Sequence, residues 1–305
     1  SSRDVQRVFA SVETAGFALQ PDAEITFEAN PDDLSAEYLS SLSRLPFNRI
    51  SIGIQSFHNP ELAFLNRRHD ADAAIAAVET ARRLGYHNIS IDLMYGLPGQ
   101  TLAQWEETIR QAIALDVQHI SAYHLIYEEG TPMHDMLVRK ELRPVDEELS
   151  LRMFETLIDR LAAAGFEHYE ISNFAKPGFR SRHNSSYWNG EHYLGVGASA
   201  HSYNGISRQW NKPSNEGRFV TYEPEIELLD ERDKYNDYIL TRLRTKEGID
   251  LDELRALFGE EGKRYCSDRA TKHIGNETLM IRDRYLMLTR KGIFISDGIM
   301  SDLMR

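Results

Sequence analysis

From residue 24 to residue 172 the chain keeps switching its hydrophobic period between about 2 and about 3.6 residues, and few folds accept that pattern. Glu24 to Ala29 alternates like a strand, and Asn30-Pro31 ends it, because proline holds its predecessor out of the helical region. Ser35 is placed to cap a helix reaching Leu45, and Arg49 to Gln55 is the next strand. Asp72 to Leu84 carries Ile75, Val78, Ala81 and Leu84 on one helical face, with Gly85 as its stop. Asn88 to Met94 reads as a strand. Thr101 and Gln104 then form a capping box before Leu102, Trp105, Ile109 and Ile113. His119 to Ile126 is a strand, Asp146 opens a long helix closed by Gly165, and Glu167 to Ser172 is another strand. One strand–helix unit per roughly 30 residues is the period of βα units in a parallel sheet. An open doubly wound sheet and a (β/α) barrel both satisfy it. Upstream, Val5, Val8, Phe9 and Val12 mark a first helix that Gly16 ends.

In either architecture the working residues stand at the carboxyl ends of the strands. Those ends carry Glu28, Gln55 and Asp92, with Arg67 in the loop Asn66-Arg67-Arg68-His69. A carboxylate holds a ribose diol, an amide holds a hydroxyl or carboxylate, and an arginine clamps a carboxylate. Together they suit a nucleoside joined to an amino acid. The competing reading is that these groups only cap the strands and stay solvated.

Past the alternating region lies Tyr169-Glu170-Ile171-Ser172-Asn173-Phe174, then Arg182-His183-Asn184-Ser185-Ser186-Tyr187-Trp188. His183 offers an imidazole nitrogen to a metal, Tyr187 and Trp188 offer flat faces, and Lys176, Arg180 and Arg182 suit carboxylates. Haem, a planar iron macrocycle with two propionates, answers all three. A surface loop with two anchoring aromatics and a solvated histidine answers them as well. Tyr193 to Tyr203 is apolar, and Gly195 and Gly197 suggest a close backbone approach; His201 after them reads as an interior hydrogen-bonded histidine. Residues 206–232 read as a linker containing Pro213 and Pro224. Tyr235, Tyr238, Ile239 and Leu243, then Leu251, Leu254, Leu257 and Phe258, mark two helices. A hairpin of residues 285–289 with 293–295 completes a winged-helix-like module.

Such modules often meet DNA, but the net charge of -12 and the acidic residues of this end exclude a nucleic-acid partner and favour a docking role. The only cysteine, Cys266, rules out an internal disulfide and an all-cysteine metal site; it reads as a structural or incidental thiol. No apolar run is long enough to span a bilayer and no export signal is visible, so a cytoplasmic location is expected, with visits to a membrane face.

Six segments in order, FEANPDDL at 27–34, SIGIQSF at 51–57, LNRRHD at 65–70, SIDLMYGLPGQT at 90–101, YEISNFAKPG at 169–178 and HNSSYW at 183–188, resemble the HemW family. HemW proteins are radical SAM proteins related to the oxygen-independent coproporphyrinogen III oxidases, and HNSSYW fits the HNxxYW signature typical of HemW and absent from the true oxidases. The resemblance implies an α/β fold: an incomplete parallel (β/α) radical SAM barrel over residues 1–205, lacking its first two strands, and a small helical C-terminal module over residues 233–305. It implies S-adenosyl-L-methionine (SAM) contacts at Glu28, Gln55, Arg67 and Asp92. It implies a [4Fe-4S] cluster whose three cysteines are not in this chain, so the chain alone is expected not to cleave SAM reductively. It implies haem as cargo at His183, Tyr187 and Trp188, with His183 as the iron ligand, and a membrane haemoprotein as acceptor. The alternative implied function is oxidative decarboxylation of coproporphyrinogen III. A barrel short of two strands also leads us to expect self-association through its open edge.

Overall fold

The computed structural model describes residues 1–212 and 224–305. They form two compact units, one of residues 1–168 and 172–180, the other of residues 169–171 and 181–305. The boundary near residue 180 differs from the expected one at 205, and HNSSYW belongs to the second unit. The expected linker is also partly structured: residues 207–211 and 224–228 are strands, while Pro213 lies outside the described residues.

The first unit runs α1 (Ser2–Thr14), β1 (Thr26–Ala29), a 3-10 turn (Pro31–Asp33), α2 (Ala36–Leu42), β2 (Arg49–Gln55), α3 (Asn59–Phe64), α4 (Ala71–Arg83) and β3 (Ile89–Tyr95). It continues through α5 (Leu102–Ala114), β4 (His119–His124), α6 (Pro132–Val138), α7 (Glu147–Ala163), β5 (Glu167–Glu170) and β6 (Asn173–Ala175). The expected caps are in place: Ser35 accepts from the Tyr38 amide at 3.1 Å, and Asp146 from the Leu149 amide at 2.8 Å. The six strands are ordered β1-β2-β3-β4-β6-β5, with β1 to β4 parallel. The expected strand from 167 to 172 is present as β5 but stops at Glu170, and a further strand, β6, follows it. A turn at Ile171-Ser172 reverses the chain, and β6 pairs antiparallel to β4.

Strand alternation sorts the two faces of this sheet. Ile50 and Ile52 of β2 lie in register with Ile89 and Ile91 of β3, and Ile91 and Leu93 with Ile120 and Ala122 of β4. All of these are buried, as are Val78 of α4, Trp105 and Ile109 of α5, and Met153 and Leu157 of α7. Trp105 donates its indole N–H to the Met153 carbonyl at 2.9 Å, so the largest buried side chain leaves no polar atom unmet. Alternation puts the polar set on the other face: Glu28, Ser51, Ser90, Asp92, His119 and Ser121.

The second unit holds α8 (Arg182–Trp188), β7 (His201–Tyr203), β8 (Ser207–Asn211), β9 (Pro224–Leu228), α9 (Glu231–Leu243), β10 (Ile249–Asp250), α10 (Leu251–Gly275), β11 (Leu279–Arg282), β12 (Tyr285–Leu288), α11 (Arg290–Ile293) and α12 (Ser296–Leu303). Strands β7, β8 and β9 form one antiparallel sheet, and β10, β12 and β11 another. Tyr235, Ile239 and Leu243, four residues apart on α9, enter a core with Ile249, Leu254, Cys266, Leu286 and Leu303. Helix α10 breaks at Gly259, whose φ of +70° is left-handed. The C-terminal hairpin differs from the expected one. Strand β12 pairs with β11, not with residues 293–295, because Thr289 accepts from the Gly292 amide at 3.2 Å and starts helix α11 there.

Candidate functional site

In the first unit, three of the four candidates come from neighbouring strands, Glu28 and Gln55 at or next to the strand end and Asp92, contrary to expectation, in the middle of β3. Glu28 is opposite Ser51 of β2, and Asp92 is opposite Ser121 of β4. Gln55 ends β2 just after an irregular step in its register with β3, and it sits in the left-handed region with φ of +69°. Arg67 is not on a strand, yet its Nη2 donates to the Asn30 side-chain oxygen and to the Gly53 carbonyl, each at 2.7 Å. Both bonds use one nitrogen, so the rest of the guanidinium remains for a carboxylate. A Cβ at Gly53 would come within 3.0 Å of the Gln55 amide nitrogen and 3.1 Å of Arg67 Nη2, so glycine keeps this corner open. Glu28 is exposed, and Gln55, Arg67 and Asp92 are half-buried.

Electrostatics separate the two carboxylates. Burial pushes the Asp92 carboxyl up to about 6; Ser121 opposes the rise and the nearby Glu28 charge adds to it. Beneath them, burial pushes His119 down to about 3, with the Arg49 charge adding to the fall, and its Nδ1 lies 2.8 Å from the Ser90 hydroxyl. The set has the donors and acceptors for an adenosyl group joined to an amino acid: acceptors at Glu28 and Asp92, an amide at Gln55, a cation at Arg67. It does not fit an iron–sulfur cluster. Cys266 is the only thiol of the chain, it is buried in the second unit, and burial pushes it up to about 11. Among the described residues no three metal-ligating side chains gather.

In the second unit HNSSYW is helix α8, not a loop. Ser181 caps it by accepting from the Asn184 amide at 3.2 Å. His183 and Tyr187 are four residues apart and so share a helix face. The Tyr187 hydroxyl lies 3.1 Å from His183 Nε2, and the rings meet edge to face at 4.9 Å. Tyr187 meets Tyr193 in the same manner at 4.7 Å. Trp188 takes the Arg244 guanidinium on its face at 4.7 Å, and Arg244 reaches the buried Glu170 carboxylate at 3.5 Å. The YEISNF and HNSSYW segments are thereby linked through an arginine of α9's C-terminal end that the sequence reading passed over. The Trp188 indole N–H is buried and has no hydrogen-bond partner among the described residues.

Tyr187 and Trp188 form part of the wall of a cavity of about 700 Å³, within the range of small-molecule and cofactor pockets. Tyr193, Tyr203, Tyr238 and Phe258 supply further aromatic wall. Arg208 holds Asp237 with two bonds of 2.5 and 2.6 Å, and Arg242 holds Glu253 at 3.0 Å. Lys234 is also on the wall and makes no ion pair among the described residues. His183 is not a wall residue. Arg180 and Lys176, considered above for carboxylates, are engaged in the first unit by Glu167 at 2.8 Å and by Asp116. His201 is exposed and stacks on Trp210 at 6.1 Å, which corrects its reading as an interior residue. The expected close approach at Gly195 is present: a Cβ there would overlap the His201 carbonyl oxygen.

Residues 3–112 match the Radical SAM superfamily, and residues 229–295 match the HemN C-terminal domain. The chain is 43% identical over 189 residues to the heme chaperone HemW of Bacillus subtilis, covering 62% of this chain and 50% of that protein. It is 31% identical over 294 residues to the heme chaperone HemW of Mycobacterium tuberculosis, covering 94% and 73%. It is 32% identical over 304 residues to the heme chaperone HemW of Lactococcus lactis, covering 98% and 80%. The chain thus spans from half to four fifths of the length of these relatives. The solved structure of coproporphyrinogen III oxidase (HemN) from Escherichia coli, described as a radical SAM enzyme, shares the fold. Its TM-score is 0.81 at 18% identity, over 99% of this chain and 74% of that one.

Proposed function

We propose that this chain, which belongs to the HemW family of radical SAM proteins, binds haem in its second unit and hands it to membrane haemoproteins. The observation that carries this reading is the aromatic cavity walled by Tyr187 and Trp188, the last two residues of HNSSYW. A macrocycle buries most of its area against aromatic faces, and its propionates need cations. The cavity offers both, with three cations against two carboxylates. The names of the relatives, heme chaperones, point to the same cargo. No helix among the described residues is long and apolar enough to cross a membrane.

In the first unit, Glu28, Gln55, Arg67 and Asp92 are the proposed SAM contacts. SAM bound there supplies an adenosyl group attached to a methionine; Asp92 and Glu28 would accept from the ribose, and Arg67 and Gln55 would hold the amino-acid end. Haemin titration of the chain beside its His183→Ala form, followed at the Soret band, tests the haem reading. Saturable binding by the wild type is expected, weakened about tenfold in the variant, equivalent to about 1.4 kcal/mol. No saturable binding by the wild type would refute haem as the cargo, and protoporphyrinogen formation from coproporphyrinogen III would then be the assay to run.

A further inference from the structure

We infer that Asn30 is a positioning residue that makes the first unit's site select a nucleoside ligand carrying a carboxylate: it holds the Arg67 guanidinium with a neutral oxygen and leaves its charge for the ligand. This rests on the SAM reading above and adds to it the residue that sets which ligands are taken.

The sequence puts two arginines side by side, Arg67 and Arg68, and the turn Pro31–Asp33 brings two acids to them. The two arginines are used differently. Arg68 takes both acids, Asp32 at 2.5 Å and Asp33 at 3.2 Å. Arg67 meets no carboxylate among the described residues. Its Nη2 donates to Asn30 Oδ1 and to the Gly53 carbonyl, each at 2.7 Å. These two bonds fix the guanidinium plane and leave the two donors of Nη1 and the one of Nε. Arg67 is half-buried, so its unneutralised charge is screened less than an exposed one.

Asn30 is itself held. Its carbonyl accepts from the Asp33 amide at 3.1 Å, and its Nδ2 donates to Asp33 Oδ2 at 3.4 Å. A carboxylate accepts only, so the nitrogen end of the Asn30 amide faces Asp33 and the oxygen end faces Arg67. The arginine's loop is fixed as well: the Arg67 amide donates to the Leu62 carbonyl at 2.9 Å, and the buried His69 has Nε2 3.1 Å from the Ile54 carbonyl. Both partners are therefore in place before a ligand arrives. The chemistry of the side chain at position 30 then matters. An aspartate there would hold Arg67 equally well and cancel its charge. An apolar residue would leave the guanidinium free to swing on one remaining bond. Asparagine orients the cation and keeps it charged. A nucleoside without a carboxylate gains nothing from that charge, whereas an amino-acid carboxylate gains an ion pair in a partly dry corner.

The test is isothermal titration calorimetry of the chain with SAM and, separately, with decarboxylated SAM, which keeps the adenosyl, sulfonium and amine groups. Wild type is expected to bind SAM about tenfold or more tightly than the analogue. Asn30→Ala should weaken SAM about tenfold and leave the analogue nearly unchanged. Asn30→Asp, of nearly the same shape, should also weaken SAM and bind the analogue at least as well as wild type does. A purely structural role would weaken both ligands alike, so the ratio of the two affinities reads the positioning role. Equal affinities in wild type, or the wild-type ratio preserved in either variant, would overturn the inference and leave the SAM reading standing. No saturable binding of either ligand by wild type would overturn both.

Discussion

At the scale of single residues, Asp92 and His119 sit on one polar sheet face and burial moves them in opposite senses. The Asp92 carboxyl is raised to about 6, so the folded chain holds its proton where the unfolded chain has released it. Its contribution to stability is therefore largest below about pH 4 and is lost as the pH rises through about 6. His119, lowered to about 3, acts the other way: the unfolded chain takes up a proton first, and stability falls as the pH drops below about 6.5. Asp92→Asn should raise stability at pH 7.5 by about 1–3 kcal/mol and give little at pH 4. Urea midpoints of wild type and variant at the two pH values read this directly; an equal gain at both would show that Asp92 is not held against its charge. Glu28 and Gln55 lie at or next to a strand's end, which its pattern marks in the sequence, whereas Asp92 lies in the middle of β3. Arg67 was legible from its loop. Arg244, which braces Trp188 against Glu170, was not, because its partners are 74 and 56 positions away in the chain.

Elements were read best where their ends carry local chemistry. Thr101 accepts from the Gln104 amide at 3.3 Å, and the Gln104 side chain accepts from the Thr101 amide at 2.8 Å, so helix α5 starts where the capping box put it. Thr101→Ala removes the first of these bonds and should cost about 1 kcal/mol, measured as a fall in the urea midpoint with an unchanged slope. A cost near zero would mean that water replaces the cap freely. Where an element depends on its partner, the reading slipped. Glu167 to Ser172 reads as one strand, yet it stops at Glu170, and past a turn Asn173–Ala175 pairs antiparallel to β4. Residues 293–295 look like the return strand of a hairpin. Their place beside β12 is taken by β11, and Gly292 instead lies against the Thr278 carbonyl with no room for a Cβ. His183 and Tyr187 were each singled out from sequence, but read as a loop their pairing was hidden. A helical reading of the same four-residue spacing would have found it.

At the scale of the whole molecule, β1 lies at the edge of the six-stranded sheet and pairs only with β2 among the described residues. Val8 and Phe17 nearby in sequence are 63% and 59% exposed, and Leu19 is 43% exposed. An unpaired strand edge beside exposed apolar side chains favours association with a second chain. The weight-average mass from light scattering should rise with concentration and fall back in a Phe17→Glu, Leu19→Glu variant. A mass equal to one chain across the whole range would remove the idea. The charge of -12 works against close approach of copies and should make the association stronger as salt is added.

By itself the sequence determined the alternation of strands and helices, the apolar and polar faces of each strand, the helix caps, the family segments and the residues worth suspecting. All of these rest on spacing along the chain, and spacing survives without a fold. The tertiary structure decided which strands run antiparallel, that HNSSYW belongs to the second unit, and that Tyr187 and not His183 lines its cavity. It also decided which cations of the cavity wall are already held by carboxylates and that Lys234, among the described residues, is not. Those outcomes depend on side chains distant in sequence arriving at one place, where burial and pairing set which groups remain to meet a ligand.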